Sequence, residues 1–314
     1  MKKVVILESL GISEEELQAF QRPFAEEAEF VSYPKTTHIP TLIEELSGAH
    51  AAILANMPLP GEVITAAKDL QFIDVAFTGV DHVGLEAARA RNIPVSNASG
   101  YSNEAVAELV LGMALSLLRH IPETQERVRA GGTKDGLVGS ELRGKTVGII
   151  GLGKIGSRTA ELMQAFGANV LAQRHKSTKP FPAYVEEVSQ EELLRRADIV
   201  VLHCPLNEST RGMINYEKLA MMKPSALLIN VARGPVVVES DLVRALQEGL
   251  IAGAGIDVFD GEPPLPGDTP LLAAPNTLLT PHVAFATRES MTLRAEIVFD
   301  NLRAWLAGKP QNLV

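Results

Sequence analysis

The chain has 314 residues, enough for two domains of ordinary size, and its 46% hydrophobic and 21% charged residues match a soluble globular protein. Its 29 Lys and Arg against 38 Asp and Glu leave a formal net charge of −9, which argues against general affinity for nucleic acid or anionic membranes. Cys204 is the only cysteine, so neither an intrachain disulfide nor a cysteine-only metal site can form, and a reducing, cytoplasmic location is expected.

The opening "MKKVVILESLG" has too short an apolar run for a signal peptide and reads as a first strand. No window reaches the length of a membrane span. "SEEELQAFQRPFAEE" follows as a helix, with Ser13 as its cap and Glu16 three residues on. "AAILAN", "LQFIDVAF" and "IPVSNA" are further strands, with "GLEAARARN" a helix between the last two. From Ser102, "SNEAVAELVLGMALSLLRHIPETQERVRAG" is expected to form one long helix stopped by Gly131 and Gly132. "LRGKTVGIIGLGKIGSRTAELMQAFGANVLAQ" then reads strand, glycine turn, helix, strand. "ADIVVLHCPL", "SALLINVAR", "IAGAGIDVF" and "TLLTPHVA" are later strands, and "TRESMTLRAEIVFDNLRAWLAGK" is a closing helix that returns to the first domain. Repeated strand–helix alternation predicts an α/β protein with two Rossmann-like, doubly wound parallel-sheet domains. Hinges between residues 98 and 99 and between 284 and 285 would insert domain 99–284 within a discontinuous domain of 1–98 and 285–314.

In "VGIIGLGKIGSRTAEL", Gly151, Gly153 and Gly156 follow a strand and open a helix. The first permits a tight turn, the second lets backbone approach a pyrophosphate, and the third permits close helix–strand packing. The helix N-terminus adds unpaired amides, so a dinucleotide site is expected. Arg233 ends the strand of "LLINVARG", Glu262 lies in "DVFDGEPP", and His282 lies in "LLTPHVA". All three fall at strand ends, where open α/β sheets bind ligands. A carboxylate beside an imidazole raises its pKa and fixes its tautomer, and a guanidinium grips a carboxylate and polarises a carbonyl. Singly, each also fits a surface ion pair, a loop or a structural histidine. No spacing suggests a metal site.

"GLGKIG", "LHCPLNESTRGMIN", "LLINVARGPVV", "GAGIDVFDGEPP" and "NTLLTPHVAFAT" resemble successive blocks of the D-2-hydroxyacid dehydrogenase family. "FTGVDHVGLEAARARNIPVSNASGYSNEAVAEL" resembles its substrate domain, so the likeness runs nearly end to end. The resemblance implies a nicotinamide-dependent oxidoreductase that interconverts a small 2-oxo acid and its (R)-2-hydroxy acid, favouring a glyoxylate- or hydroxypyruvate-type substrate. By the matching motifs, Arg233 binds the substrate, His282 donates the proton and Glu262 is its partner. Gly151, Gly153, Lys154, Ile155 and Gly156 form the implied dinucleotide turn. Pro205 and Thr210, then Val231, Ala232 and Arg233, then Asp257 and His282 are the other implied cofactor contacts, Asp257 meeting the nicotinamide carboxamide. The backbone at Thr78, Gly79 and Val80 would hold the substrate carboxylate. A homodimer is also implied, and the helix from Ser102 has more apolar surface than one face needs. Cys204 reads as packing.

"LANMPLPGE" matches the segment facing the substrate's variable end and offers Asn56, Met57 and Leu59 with no positive charge, which disfavours phosphoglycerate. A bulkier apolar 2-oxo acid is an alternative, and Tyr101 either lines that pocket or packs a hinge. A nicotinamide-sensing, corepressor-like binding protein is the rival of another class. In "NVLAQRHKST", Arg174, His175 and Lys176 stand where an NAD-binding strand would end in an acid, which favours NADP(H) with NAD(H) as the alternative.

Overall fold

The computed structural model describes residues 1–173, 180–261 and 263–314. The chain divides into two compact units, Met1–Ser102 with Ala286–Val314, and Asn103–Phe285.

The first unit holds strands β1 (Lys2–Ile6), β2 (Ala28–Ser32), β3 (Ala51–Leu54), β4 (Phe72–Val75) and β5 (Val95–Asn97). They form one parallel sheet in the order β2-β1-β3-β4-β5, with Val5 opposite Val31 and Ala52. The chain leaves β1 to one side and returns to β3 on the other, so a topological switch lies between these two strands. β3 and β4 are buried at every position, as expected of apolar runs covered on both faces. The helix Arg288–Leu306 does return to this sheet, capped by Thr287 and Ser290. Its Trp305 stacks on Phe72 at 5.2 Å between centroids, and its Asn301 donates to Asp74 at 3.0 Å and to the Asn97 carbonyl at 3.1 Å. Asp74 is fully buried, and that burial pushes its carboxyl up to about 8.

The second unit carries β6 (Thr146–Ile150), β7 (Asn169–Gln173), β8 (Val185–Glu187), β9 (Ile199–Leu202), β10 (Leu227–Asn230), β11 (Gly253–Ile256) and β12 (Thr277–Leu279). All pair in parallel in the order β12-β11-β10-β9-β6-β7-β8, so the switch lies between β6 and β9. Helix Asn103–Leu118 lies against β10, β11 and helix Lys154–Ala165. The second core is built from Leu193, Leu228, Leu242 and Leu246 with their neighbours.

The long helix expected from Ser102 is two helices, Asn103–Leu118 and Ile121–Arg129, bent by 55°. Pro122 has no amide to return to the Leu118 carbonyl, which accepts from the Ser140 amide instead at 2.8 Å. His120 takes up the bend with a left-handed backbone, φ +50°. No residue of the second helix is buried. Among the described residues, no single helix is long and apolar enough to cross a membrane.

Candidate active site

The turn after β6 is built from close backbone approaches. Gly151 has φ +103°, and a Cβ there would lie 2.7 Å from the Cys204 amide nitrogen, at the end of β9. A Cβ on Gly156 would lie 2.2 Å from the Gly151 carbonyl oxygen. Only glycine lets the turn, its helix and the neighbouring strand end come this near. Gly153 differs: a Cβ there would meet nothing within 4 Å, and it opens the twelve-residue helix Lys154–Ala165 without any side-chain cap. Among the described residues no acceptor outside the helix takes the first helical amides, at the positive end of the helix, with Lys154 exposed and Ile155 half-buried beside them. These residues fit the diphosphate of a dinucleotide.

Behind the turn, His203 donates its backbone amide to Ile150 at 2.8 Å, and its Nε2 lies 2.9 Å from Thr159 Oγ1 on the turn's helix. Burial pushes its imidazole down to about 3, so it stays neutral and structural at neutral pH. Cys204 is buried too, and burial pushes its thiol up to about 11, a packing residue rather than a nucleophile. The loop beyond is closed by Thr210, whose hydroxyl donates to the Pro205 carbonyl at 2.6 Å and accepts from the Asn207 amide at 2.9 Å.

Val231 and Ala232 are buried at the end of β10. Asn230, 1% exposed, accepts from the Ala232 amide at 3.1 Å and donates to the Arg233 carbonyl at 3.0 Å, clamping the turn that presents Arg233. Arg233 is half-buried with extended backbone, φ −150°, and its Nη1 donates to the Ala232 carbonyl at 2.8 Å.

Asp257, just past β11, is completely buried. Its carboxylate accepts from Thr280 Oγ1, from the Val283 amide at 2.9 Å and from the Ala284 amide at 2.9 Å, while its carbonyl accepts from the His282 amide at 2.8 Å. Burial raises its pKa, and those donors partly oppose the rise. The side chain therefore anchors the His282 loop. With no exposed surface, it has no free face for the carboxamide contact expected of it. His282 sits in the left-handed region, φ +54°, half-buried, its ring edge-on to Phe285 at 5.3 Å. Glu262, and the basic residues Arg174, His175 and Lys176, lie outside the described residues.

In the first unit, Thr78, Gly79 and Val80 follow β4, and the Thr78 carbonyl accepts from Asn97 at 2.8 Å. Among the described residues, the amides of Gly79 and Val80 donate to no backbone carbonyl, and Thr78 Oγ1 is buried without a partner. Tyr101 is only 3% exposed, packed 6.2 Å from Phe77 and 5.8 Å from the Arg294 guanidinium. Met57 and Leu59 are wholly buried, so of the loop after β3 only Asn56 of the three faces outward. That loop carries no positive charge of its own, as expected, but a cation from another loop reaches it. Lys35, from the loop after β2, donates to Asn56 Oδ1 at 2.9 Å and lies 3.5 Å from Glu8. Glu8 in turn accepts from the Ala55 and Met57 amides at 2.7 and 2.8 Å. Neither residue has a local sequence signal. Only the parallel order of β2, β1 and β3 brings them together.

The model of the D-isomer specific 2-hydroxyacid dehydrogenase NAD binding domain matches residues 111–284. A glycerate dehydrogenase of Methylorubrum extorquens is 38% identical, over 100% of this chain and 99% of its own. A glyoxylate reductase of Thermofilum pendens is 40% identical, over 80% of this chain and 76% of its own. A solved acyclic imino acid reductase, in complex with NADPH and D-Arg, is 28% identical and superposes with a TM-score of 0.91 over 99% of both chains. With a nicotinamide-nucleotide domain matched by residue and a likeness running the length of the chain, this protein belongs to the D-isomer specific 2-hydroxyacid dehydrogenase family.

Proposed function

We propose that the chain is a reductase that converts a small 2-oxo acid, of the glyoxylate or hydroxypyruvate type, into the (R)-2-hydroxy acid with NADPH in preference to NADH. The observation that carries this reading is the pairing of an open, uncapped helix N-terminus at Gly153 with Arg233 and His282 at strand ends of the same sheet. Relatives named glycerate dehydrogenase and glyoxylate reductase support the substrate class.

When bound, the nicotinamide supplies the hydride. The protein's residues do the rest. Arg233 grips the substrate carboxylate and steadies the charge that grows on the carbonyl oxygen. His282, as imidazolium, gives its proton to that oxygen. Asp257 holds the His282 loop through three donors to its carboxylate, and Glu262 is the proposed partner of the imidazole. The amides of Gly79 and Val80 take the substrate carboxylate from the first unit, and Tyr101 packs that unit rather than touching substrate. The pyrophosphate lies on the turn 151–156, with Pro205, Thr210, Val231 and Ala232 along the nucleotide's path. A cytoplasmic homodimer completes the reading.

Preference for NADPH rests on Arg174, His175 and Lys176. A single charge-assisted bond to the 2′-phosphate contributes roughly 1.5–3 kcal/mol, about tenfold or more in affinity. Arg174→Asp should abolish that preference. Equal or better use of NADH by the wild type would leave the basic stretch a mere surface turn. The reductase reading itself is tested by following oxidation of NADPH and NADH with glyoxylate, hydroxypyruvate, pyruvate and branched 2-oxo acids. If none is reduced, the protein is a nucleotide-binding module instead.

A further inference from the structure

The dinucleotide turn uses the carboxyl end of the larger sheet. At the other end, where β6, β10, β11 and β12 begin, lies an open cavity of about 280 Å³ whose lining belongs to the second unit alone. Its apolar side is Leu117 and Leu118, at the end of the helix Asn103–Leu118, and Leu227, which opens β10. The rest is polar. Lys145, half-buried, stands immediately before β6. Glu123, exposed, is carried to the cavity by the bend at His120, in the first turn of the helix Ile121–Arg129. Ser140, Ser225 and Asn276 complete the lining with neutral donors and acceptors.

Lys145 and Glu123 line one cavity and yet do not pair with each other. Among the described residues neither side chain has an ion-pair or hydrogen-bond partner, and the side chains of Ser140, Ser225 and Asn276 have none either. Asp198, whose carboxylate lies within the field of Lys145, is already taken by Lys223 at 2.8 Å and by the Thr146 amide at 2.8 Å. Elsewhere in this unit Arg158, Arg196, Lys218 and Arg244 each close on a carboxylate. This cavity therefore keeps both signs of charge available beside an apolar wall. A lone anion would meet the charge of Glu123, a lone cation that of Lys145, and a wholly apolar molecule would strip water from both. A zwitterion answers each charge with its opposite and leaves its own side chain for the leucines. The volume lies just under the roughly 300–1,000 Å³ of pockets for drug-sized ligands, so the occupant is small.

We propose that this cavity binds a free α-amino acid with an apolar side chain, its carboxylate on Lys145, its ammonium on Glu123 and its side chain on Leu117, Leu118 and Leu227. The site lies at the opposite ends of the strands from the dinucleotide turn, and it does not depend on the reductase reading.

Calorimetric titration of the whole protein with leucine, leucinamide and N-acetyl-leucine tests this. The two analogues keep the side chain and each lack one charge. Leucine should bind saturably, and each analogue should bind about tenfold more weakly or worse, the worth of one charge-assisted hydrogen bond. Lys145→Met should erase the difference between leucine and leucinamide, and Glu123→Gln that between leucine and N-acetyl-leucine. Neither variant should change the turnover of a 2-oxo acid. No saturable binding of leucine at millimolar concentration overturns the proposal. Equal binding of leucine and both analogues overturns it too, since the cavity would then be only an apolar groove. Leucine affinity untouched by both variants places the ligand elsewhere, and affinity that falls with Lys145→Met alone makes the cavity a simple anion site; either result defeats the proposal. Should a variant fail to fold, the titrations of the wild type still decide.

Discussion

At the carboxyl end of β6 the chain turns through Gly151 and Gly153 into a twelve-residue helix with no side-chain cap. After β1 it runs through residues 7–12 into a helix closed by a full capping box, in which Ser13 and Glu16 satisfy each other's backbone amides. The next strand end on the same sheet is closed as well, since Glu8 takes the amides of Ala55 and Met57. The two sheets share one architecture, yet one end keeps its amide donors open and the other fills them with its own carboxylates. An open parallel sheet offers anion-binding amides by default, and the residue types at the turns decide whether a ligand or the chain itself uses them.

Moving single residues across that difference should have graded effects. The largest belongs to the chemistry beside the open end. His282→Ala should lower the turnover of 2-oxo acid on the order of 10²–10⁴-fold, with far less change in cofactor affinity measured by fluorescence titration. Unaltered turnover would remove His282 from the mechanism. Closing the open end comes next. Gly153→Asp places a carboxylate at the N-cap, where a Cβ meets nothing within 4 Å. It should weaken dinucleotide binding on the order of 10²-fold while raising stability by about 1 kcal/mol. A variant that binds cofactor as tightly as wild type would show that the helix end does not hold the pyrophosphate.

Opening the closed end is the converse. Glu8→Gln keeps an acceptor for the two amides but removes the charge facing Lys35, and should cost about 1–3 kcal/mol in denaturant unfolding. No loss in the midpoint would mean that the carboxylate adds nothing to holding the β3 loop. The last test is one of pH. Asp74 is raised from 3.8 to about 8 by burial, so the folded protein keeps a proton that the unfolded chain has lost across that interval. Its contribution is fully present below the lower value and is lost as pH rises through the upper one. Stability should therefore fall with rising pH there by up to about 1.4 kcal/mol per unit, and Asp74→Asn should flatten that slope. An unchanged slope in thermal melts from pH 5 to about 8 would place the titration elsewhere.

Much of this was legible in the sequence because the signals are local. The glycine turn, the capping box at Ser13 and the apolar runs of β3, β4, β9 and β10 are each written within a dozen residues. β2 and β8 were not read, and both are edge strands with exposed positions along them, so they lack a continuous apolar run. The helix from Ser102 reads as unbroken because its apolar pattern says nothing about where a carbonyl finds its donor. Pro122 carried the needed signal. The Glu8, Lys35 and Asn56 contacts span 21 to 49 residues of chain, and only strand order makes them neighbours.

The left-handed residue at His120 separates two stretches of unequal tolerance to substitution. Before it, Val106, Val110, Met113 and Ala114 are locked into a core against the nucleotide-binding sheet, where each substitution disturbs several partners. After it, none of the nine helical residues is buried, so single substitutions there should each change stability by no more than about 0.5 kcal/mol. The bend itself is the constrained point. Few side chains tolerate that backbone conformation, chiefly glycine, asparagine, aspartate and histidine, so the residue that projects the arm accepts only a narrow alphabet while the arm itself accepts a wide one.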